Sequence, residues 1–153
     1  MPVADATARK IELGISLASA AAMLYVGAYQ VRVISHLQCP IFHHGCDAVA
    51  DAPFARPFGI PDGFIAAALY VPLIALSLTE RRGRWQRIVF RTAAILAAVA
   101  NVLGVRDMYR LGAYCFYCLL TTALALPLIW LAFRRIPAPE RRGRNLVPKP
   151  LAE

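Results

Sequence analysis

The sequence predicts an all-α membrane protein, a four-transmembrane-helix bundle with a cysteine-bearing extracytoplasmic loop between helices 1 and 2. Of its 153 residues 59% are hydrophobic, and the mean hydropathy is +0.53, whereas soluble domains have roughly 45 to 50% apolar residues. Four stretches also lack charged residues, as helices that cross a hydrocarbon core of about 30 Å must. The apolar excess argues against a soluble globule and against a disordered chain.

Three of the uncharged stretches are long enough to span a membrane by themselves. They cover residues 13–31, 63–79 and 111–133, which are 19, 17 and 23 residues. The stretch 92–105 has only 14 uncharged residues and spans only if Arg91 extends its side chain toward the headgroups. The first stretch has an alternative interpretation as a cleaved signal peptide ending near Ala20. Its apolar run continues to Gln30, which favours an uncleaved helix.

Basic residues are distributed unevenly between the two sides of this topology. Thirteen of the 17 Lys and Arg residues fall in the tails and the central loop, and four fall in the other two loops. Because loops rich in Lys and Arg stay in the cytoplasm, both termini are predicted to be cytoplasmic. The net charge of +8 thus indicates the orientation of the chain in the membrane and not nucleic-acid binding. We divide the chain into an N-terminal tail (1–10), a transmembrane domain (11–134) and a basic, Pro-containing cytoplasmic tail (135–153).

All four cysteines fall on the outer side in this topology. Cys39 and Cys46 lie in the first outer loop, and Cys115 and Cys118 open the fourth span. Disulfides persist in an oxidising outer compartment, and although three pairings are possible, the spacing favours two vicinal pairs. The C-x-x-C sulfurs share one helix face near its N-terminus, where the helix dipole stabilises a thiolate. This pattern indicates redox chemistry at the membrane edge, with packing of two small apolar residues as the alternative.

The first pair has three interpretations. Its disulfide is either purely structural or a shuttle that passes electrons to the C-x-x-C pair by thiol–disulfide exchange. His43 and His44 next to Cys46 add a zinc site, since two Cys and two His can bind zinc tetrahedrally. The adjacency of the histidines and the oxidising compartment argue against zinc, and no metal is predicted.

A lipid-soluble quinone is the acceptor that fits a dithiol at the start of a membrane helix, because quinone keeps a bacterial periplasm oxidising. Such a site needs an apolar, aromatic pocket with a few polar groups. Thr121 and Thr122 follow Cys118 on its helix face, although both can instead bond their own backbone. The aromatic candidates, which could also be interfacial anchors, are Phe54, Phe58, Tyr114 and Tyr117.

These motifs resemble the vitamin K epoxide reductase family, in its bacterial branch. The C-x6-C loop pair and the C-x-x-C opening the fourth helix occur in that order, whereas DsbB-type oxidases have the two spacings reversed. The run Val49, Ala55 and Phe58-Gly59-Ile60-Pro61-Asp62 is similar to the family's run leading into its second span. The resemblance covers about residues 11–134.

The resemblance implies a role for each cysteine. Cys118 faces the quinone (ubiquinone or menaquinone), Cys115 is its disulfide partner, Cys46 exchanges with Cys115, and Cys39 meets a separate periplasmic thioredoxin-like (DsbA-type) protein. The residues expected to contact quinone are Phe54, Phe58, Asp62, Tyr114 and Thr122. No fused thioredoxin-like domain is expected.

The expected function is a thiol–disulfide oxidoreductase of the bacterial inner membrane that reduces quinone and supports disulfide formation in the periplasm. One alternative is a reductase of vitamin K quinone or its epoxide, although Thr122 stands where animal members carry Tyr. The other is a non-enzymatic membrane scaffold with two structural disulfides.

Overall fold

The described part of the computed structural model, residues 2–79 and 83–133, contains only helices, turns and loops. The all-α prediction is confirmed. The five α-helices are α1 (Pro2–Gln30), α2 (Gly45–Ala50), α3 (Asp62–Ser77), α4 (Arg84–Leu111) and α5 (Phe116–Phe133). Two 3₁₀ turns, Pro53–Ala55 and Pro57–Gly59, lie between α2 and α3. The predicted cytoplasmic tail 135–153 lies outside the described residues.

Three described helices are long and apolar enough to cross a membrane, namely Ala6–Gln30 of α1 and the whole of α4 and α5. Helix α3 is equally apolar but has only 16 residues. The third span, which looks short in sequence, is a 28-residue helix, because α4 continues into charged residues at both of its ends.

The fourth uncharged stretch is not one helix. Helix α4 ends at Leu111, and the next residue, Gly112, has a left-handed φ of 70°. Glycine adopts this conformation without steric cost and commonly ends helices in this way. Helix α5 then starts at Phe116, so Cys115 immediately precedes its first residue and Cys118 lies in its first turn.

The bundle consists of α1, α3, α4 and α5, and each of these helices runs antiparallel to the next one in this order. At one end of the bundle the Arg9 guanidinium donates to the Thr79 carbonyl oxygen at 3.0 Å, and the Arg91 Nε donates to the Ala132 carbonyl oxygen at 3.0 Å. The 31–61 loop and the 112–115 loop connect the helices at the opposite end. All four cysteines therefore lie at one end of the bundle.

Helices α1 and α3 make a close contact near the cysteine end. A Cβ on Gly63 would lie 2.5 Å from the backbone nitrogen of Gly27, so a side chain at position 63 does not fit. The core between the helices is apolar. Its largest fully buried apolar side chains are Tyr70, Leu73, Phe90, Met108 and Leu128.

Candidate functional site

The first cysteine pair forms a disulfide. Cys39 and Cys46 are bonded across a loop with their Cα atoms 5.9 Å apart. Cys46 is fully buried, while Cys39 is partly exposed. The intervening His43 and His44 are both exposed, and no group of three potential metal-binding side chains occurs in the described ranges.

Polar contacts hold this loop together and fix it to the end of α1. The Leu37 N–H donates to the Asp47 carboxylate at 2.8 Å, and the Tyr29 hydroxyl donates to Asp51 at 2.7 Å. Arg32 pairs with the same Asp51 carboxylate at 3.0 Å. These contacts fix the position of the loop disulfide relative to α1.

The side chain of Gln30, at the end of α1, joins the loop to α3. Its Nε2 donates to the Ala55 carbonyl oxygen at 3.0 Å and to a carboxylate oxygen of Asp62, and it also lies 3.4 Å from the Ala50 carbonyl oxygen. Its Oε1 accepts from the Gly63 N–H at 3.1 Å. One buried amide therefore positions Asp62 at the start of α3.

The second pair, Cys115 and Cys118, consists of free thiols. Cys115 is fully buried. The Cys118 thiol lowers the pKa of Cys115 by hydrogen bonding, and the N–H groups of Cys118 and Tyr117 act in the same direction against the effect of burial. Unpaired N–H groups in the first turn of a helix stabilise a thiolate in this way. Cys115 thus has the environment of an activated thiol.

The two pairs meet at the start of α5. The first N–H of this helix, that of Phe116, donates to the Cys46 sulfur at 3.4 Å. Successive N–H groups of one helical turn thus contact a sulfur from each pair. This approach requires a glycine, because a Cβ on Gly45 would lie 2.5 Å from the Tyr114 carbonyl oxygen.

Cys118 opens onto a cavity of about 290 Å³. Its walls come from α1, α3, α4, α5 and the 3₁₀ turns, and they are mostly apolar. Five polar side chains other than cysteine line it: Asp62, Tyr70, Asn101, Asp107 and Thr121. An apolar cavity with a few converging polar groups is the usual form of a small-molecule site.

The predicted quinone contacts are only partly brought together. Phe54 and Asp62 line the cavity with Cys118. Phe58, Tyr114 and Thr122 do not line it. Phe58 is fully exposed with a positive φ of 58°, and Tyr114 packs on Phe42 with 5.9 Å between ring centroids. Thr122 donates to the Cys118 carbonyl oxygen at 2.7 Å, which is the backbone bonding that its position in a helix allows.

Sequence reasoning missed three polar residues of the cavity, Tyr70, Asn101 and Asp107. Tyr70 and Asn101 lie inside apolar stretches, and a polar side chain at membrane depth is a signal of a functional site. Tyr117, treated as a pocket candidate, instead donates to the Gln38 carbonyl oxygen at 2.6 Å and packs on Tyr25 at 5.2 Å. It fastens the loop to α5.

The comparison with protein families gives one match. The pattern of the Vitamin K epoxide reductase family fits residues 10–133, which is most of the chain. No curated protein and no solved structure gives a match. The chain belongs to the vitamin K epoxide reductase family, as the sequence motifs indicate. Membership and apolar helices together define a membrane oxidoreductase of a class that acts on quinones.

Proposed function

We propose that this protein is a membrane thiol–disulfide oxidoreductase that takes electrons from a thioredoxin-like protein and reduces membrane quinone. The observation that carries the proposal is the contact between the Phe116 N–H and the Cys46 sulfur. It joins the loop pair to the C-x-x-C pair at the edge of a cavity lined by Cys118. A scaffold with two independent disulfides has no need of this junction.

The exposure of the four sulfurs supports an order of electron transfer. Cys39 is partly exposed, so a protein dithiol reaches it first. Cys46 and Cys115 are fully buried and exchange only within the protein. Cys118 alone among the four lines the cavity, so it delivers the electrons.

Electrons pass between the two pairs in two thiol–disulfide displacements, which follow reduction of the loop pair by the partner. A partner dithiol reduces the Cys39–Cys46 disulfide, becoming a disulfide itself. The Cys46 thiolate then attacks Cys115 in an oxidised C-x-x-C, and Cys118 leaves as a thiolate. Cys39 attacks Cys46 next and releases the Cys115 thiolate. The loop disulfide is restored, and the C-x-x-C pair is reduced, which is the combination of states present in this structure.

The residues of the cavity fit a quinone ring. A quinone accepts two electrons and two protons, which the Cys115–Cys118 dithiol can supply as it closes to a disulfide. The apolar wall matches the ring, while Asp62 and Thr121 are polar groups near Cys118. Phe54 lies in the cavity wall, whereas Phe58, Tyr114 and Thr122 do not line it and are assigned no contact with the ring. Ubiquinone and menaquinone are the candidate acceptors.

The proposal places the cysteine end on the periplasmic side of a bacterial inner membrane, with four spans and both termini cytoplasmic. The distribution of basic residues supports this orientation. The partner is a periplasmic DsbA-type protein, and the net result is disulfide formation in exported proteins.

The test is an assay of the purified protein in lipid with a reduced thioredoxin-like protein and a soluble quinone. We expect oxidation of the dithiol that requires quinone and consumes one quinone per dithiol. Dithiol oxidation that is slow and independent of quinone would identify a scaffold. Consumption of a quinone epoxide at a comparable rate would instead identify the epoxide as a substrate.

A further inference from the structure

A cluster of hydrogen-bonded polar groups lies in the cavity wall, and two of its members, Tyr70 and Asn101, have no role in the proposed exchange of electrons. It joins Tyr70 of α3, Asn101 of α4 and Thr121 of α5, and all three side chains line the cavity. Tyr70 and Thr121 are buried almost completely. The direction of each hydrogen bond among these three groups follows from which of their atoms can donate and which can accept.

The orientation of the Asn101 amide follows from its neighbours. Its Nδ2 lies 2.8 Å from the Ala97 carbonyl oxygen, which can only accept, so the amide nitrogen must be on that side. The same nitrogen lies 3.3 Å from the Tyr70 hydroxyl oxygen. The amide oxygen then accepts from the Thr121 hydroxyl at 2.9 Å. Every polar atom of the Asn101 side chain is thereby engaged.

The Tyr70 hydroxyl is left with an unused proton. Its oxygen accepts from Asn101, so its own O–H is free to donate. Within residues 2–79 and 83–133, the structure shows no hydrogen bond in which this O–H is the donor. Tyr70 is only 1% exposed, and an unpaired buried donor is unfavourable. The cavity is the space into which this O–H can donate.

We propose that Tyr70 donates a hydrogen bond to a carbonyl oxygen of the quinone bound in the cavity, and that Asn101 is the positioning residue that keeps this hydroxyl a donor. The inference rests on the proposed function and adds to it a specificity determinant. The cavity is bounded by Cys118 and also by Tyr70. It therefore selects an acceptor that presents a ring edge to the thiol and a hydrogen-bond-accepting oxygen to Tyr70.

The experiment compares the wild type with Tyr70→Phe, which keeps the buried ring and removes only the hydroxyl. With dithiothreitol as reductant and a short-chain quinone as acceptor, the quinone KM of Tyr70→Phe should rise roughly five- to tenfold, the effect of losing one hydrogen bond. The matched control is Tyr109→Phe, because Tyr109 is exposed on the surface of α4 and its quinone KM should not change.

A second readout observes the hydrogen bond directly. Infrared difference spectra of quinone labelled with ¹³C at one carbonyl should show a bound carbonyl band at lower frequency than in lipid. Tyr70→Phe should shift this band back, and Asn101→Ala should shift it part of the way. A raised KM with an unmoved band would show that Tyr70 acts only through packing and would overturn the inference.

The failure of the inference is distinguishable from failure of the proposed function. A wild-type protein that reduces quinone, with Tyr70→Phe identical to it in KM and in the carbonyl band, would overturn the role of Tyr70 alone. A wild-type protein with no quinone-dependent oxidation and no bound-quinone band would overturn both.

Discussion

The two cysteine pairs have opposite environments although they lie side by side. The loop pair is closed, is carried by a short helix and is held through carboxylates and hydroxyls to the ends of the bundle. The C-x-x-C pair is reduced; Cys115 is buried beneath N–H groups of the first turn of α5, and Cys118 lines an apolar cavity. In the proposed function, the polar contacts suit a pair that exchanges with a protein in water, and the position beside a cavity suits a pair that acts on an apolar acceptor.

The largest expected effect separates these two roles. Cys115→Ser and Cys118→Ser should each abolish quinone reduction with every reductant, since the dithiol beside the cavity is then incomplete. Cys39→Ser should abolish activity with a protein dithiol but retain it with dithiothreitol, which can reduce the C-x-x-C pair directly. Steady-state rates with the two reductants test this. A Cys39→Ser variant equally inactive with dithiothreitol would contradict the shuttle assignment.

The second prediction concerns the junction of the pairs. In Cys39→Ser the thiol that resolves the exchange is missing, so a Cys46–Cys115 disulfide should accumulate and leave Cys118 free. Non-reducing digestion and mass spectrometry identify the linked peptides, which are far apart in sequence. If only Cys115–Cys118 linkage is found under turnover with limiting reductant, the first pair is structural.

The third prediction tests the close approach that brings the pairs together. Gly45→Ala places a methyl group 2.5 Å from the Tyr114 carbonyl oxygen, and overpacking against backbone costs about 1 to 3 kcal/mol. The loop must move away from α5, so the rate with a protein dithiol should fall roughly tenfold or more. Activity with dithiothreitol should remain.

Gly14→Ala is the matched control for this glycine substitution. Gly14 is also a helical residue of the bundle, but a Cβ there meets nothing within 4 Å. It should leave both rates nearly unchanged and should not lower the unfolding transition, since Ala is favoured over Gly inside a helix. Equal loss of protein-dithiol activity in the two variants would mean that the Gly45 contact has no special role.

The fourth prediction concerns Asp62, which connects the two environments. Gln30 donates to one of its carboxylate oxygens, and an asparagine keeps an oxygen in that place. Asp62→Asn should therefore retain activity, whereas Asp62→Ala should raise the quinone KM roughly three- to tenfold. Quinone titrations with dithiothreitol measure both. An unchanged quinone KM in the alanine variant would show that Asp62 has only a structural role at the start of α3.

The smallest expected effect is on acidity. The hydrogen bond from Cys118 lowers the pKa of Cys115, so the Cys115 thiolate forms at a lower pH than an ordinary cysteine thiolate. In a background with Cys39→Ala and Cys46→Ala, adding Cys118→Ala should move thiolate formation at Cys115 to higher pH. Ultraviolet thiolate absorbance followed during a pH titration detects this change, and an unchanged titration would show that Cys118 does not donate to Cys115.

The sequence was sufficient for the helical class, for the family and for the location of the cysteines at one end of the bundle, because uncharged stretches and short motifs are local patterns. The break at Gly112 was missed because the spans were delimited by charged residues alone, and glycine, which commonly ends helices, carries no charge. The contact of Gly45 with the Tyr114 carbonyl, and the joining of Tyr70 to Asn101, depend on residues 69 and 31 positions apart. Such contacts follow from how helices pack, and one sequence carries no direct record of that.

The short length of α3 explains why Gln30 is buried at the end of α1. A helix of 16 residues is about 24 Å long, so in the proposed topology the irregular segment that precedes it descends into the edge of the hydrocarbon core. Exposed carbonyl and N–H groups are tolerated at that depth only when protein covers them. The Gln30 amide supplies the hydrogen bonds that water would supply elsewhere. Its nitrogen lies within hydrogen-bond distance of two carbonyl oxygens and one carboxylate oxygen, and its oxygen accepts from one N–H. At that depth the carbonyl groups of the cysteine loop are therefore paired with a side chain of the protein itself and not with water.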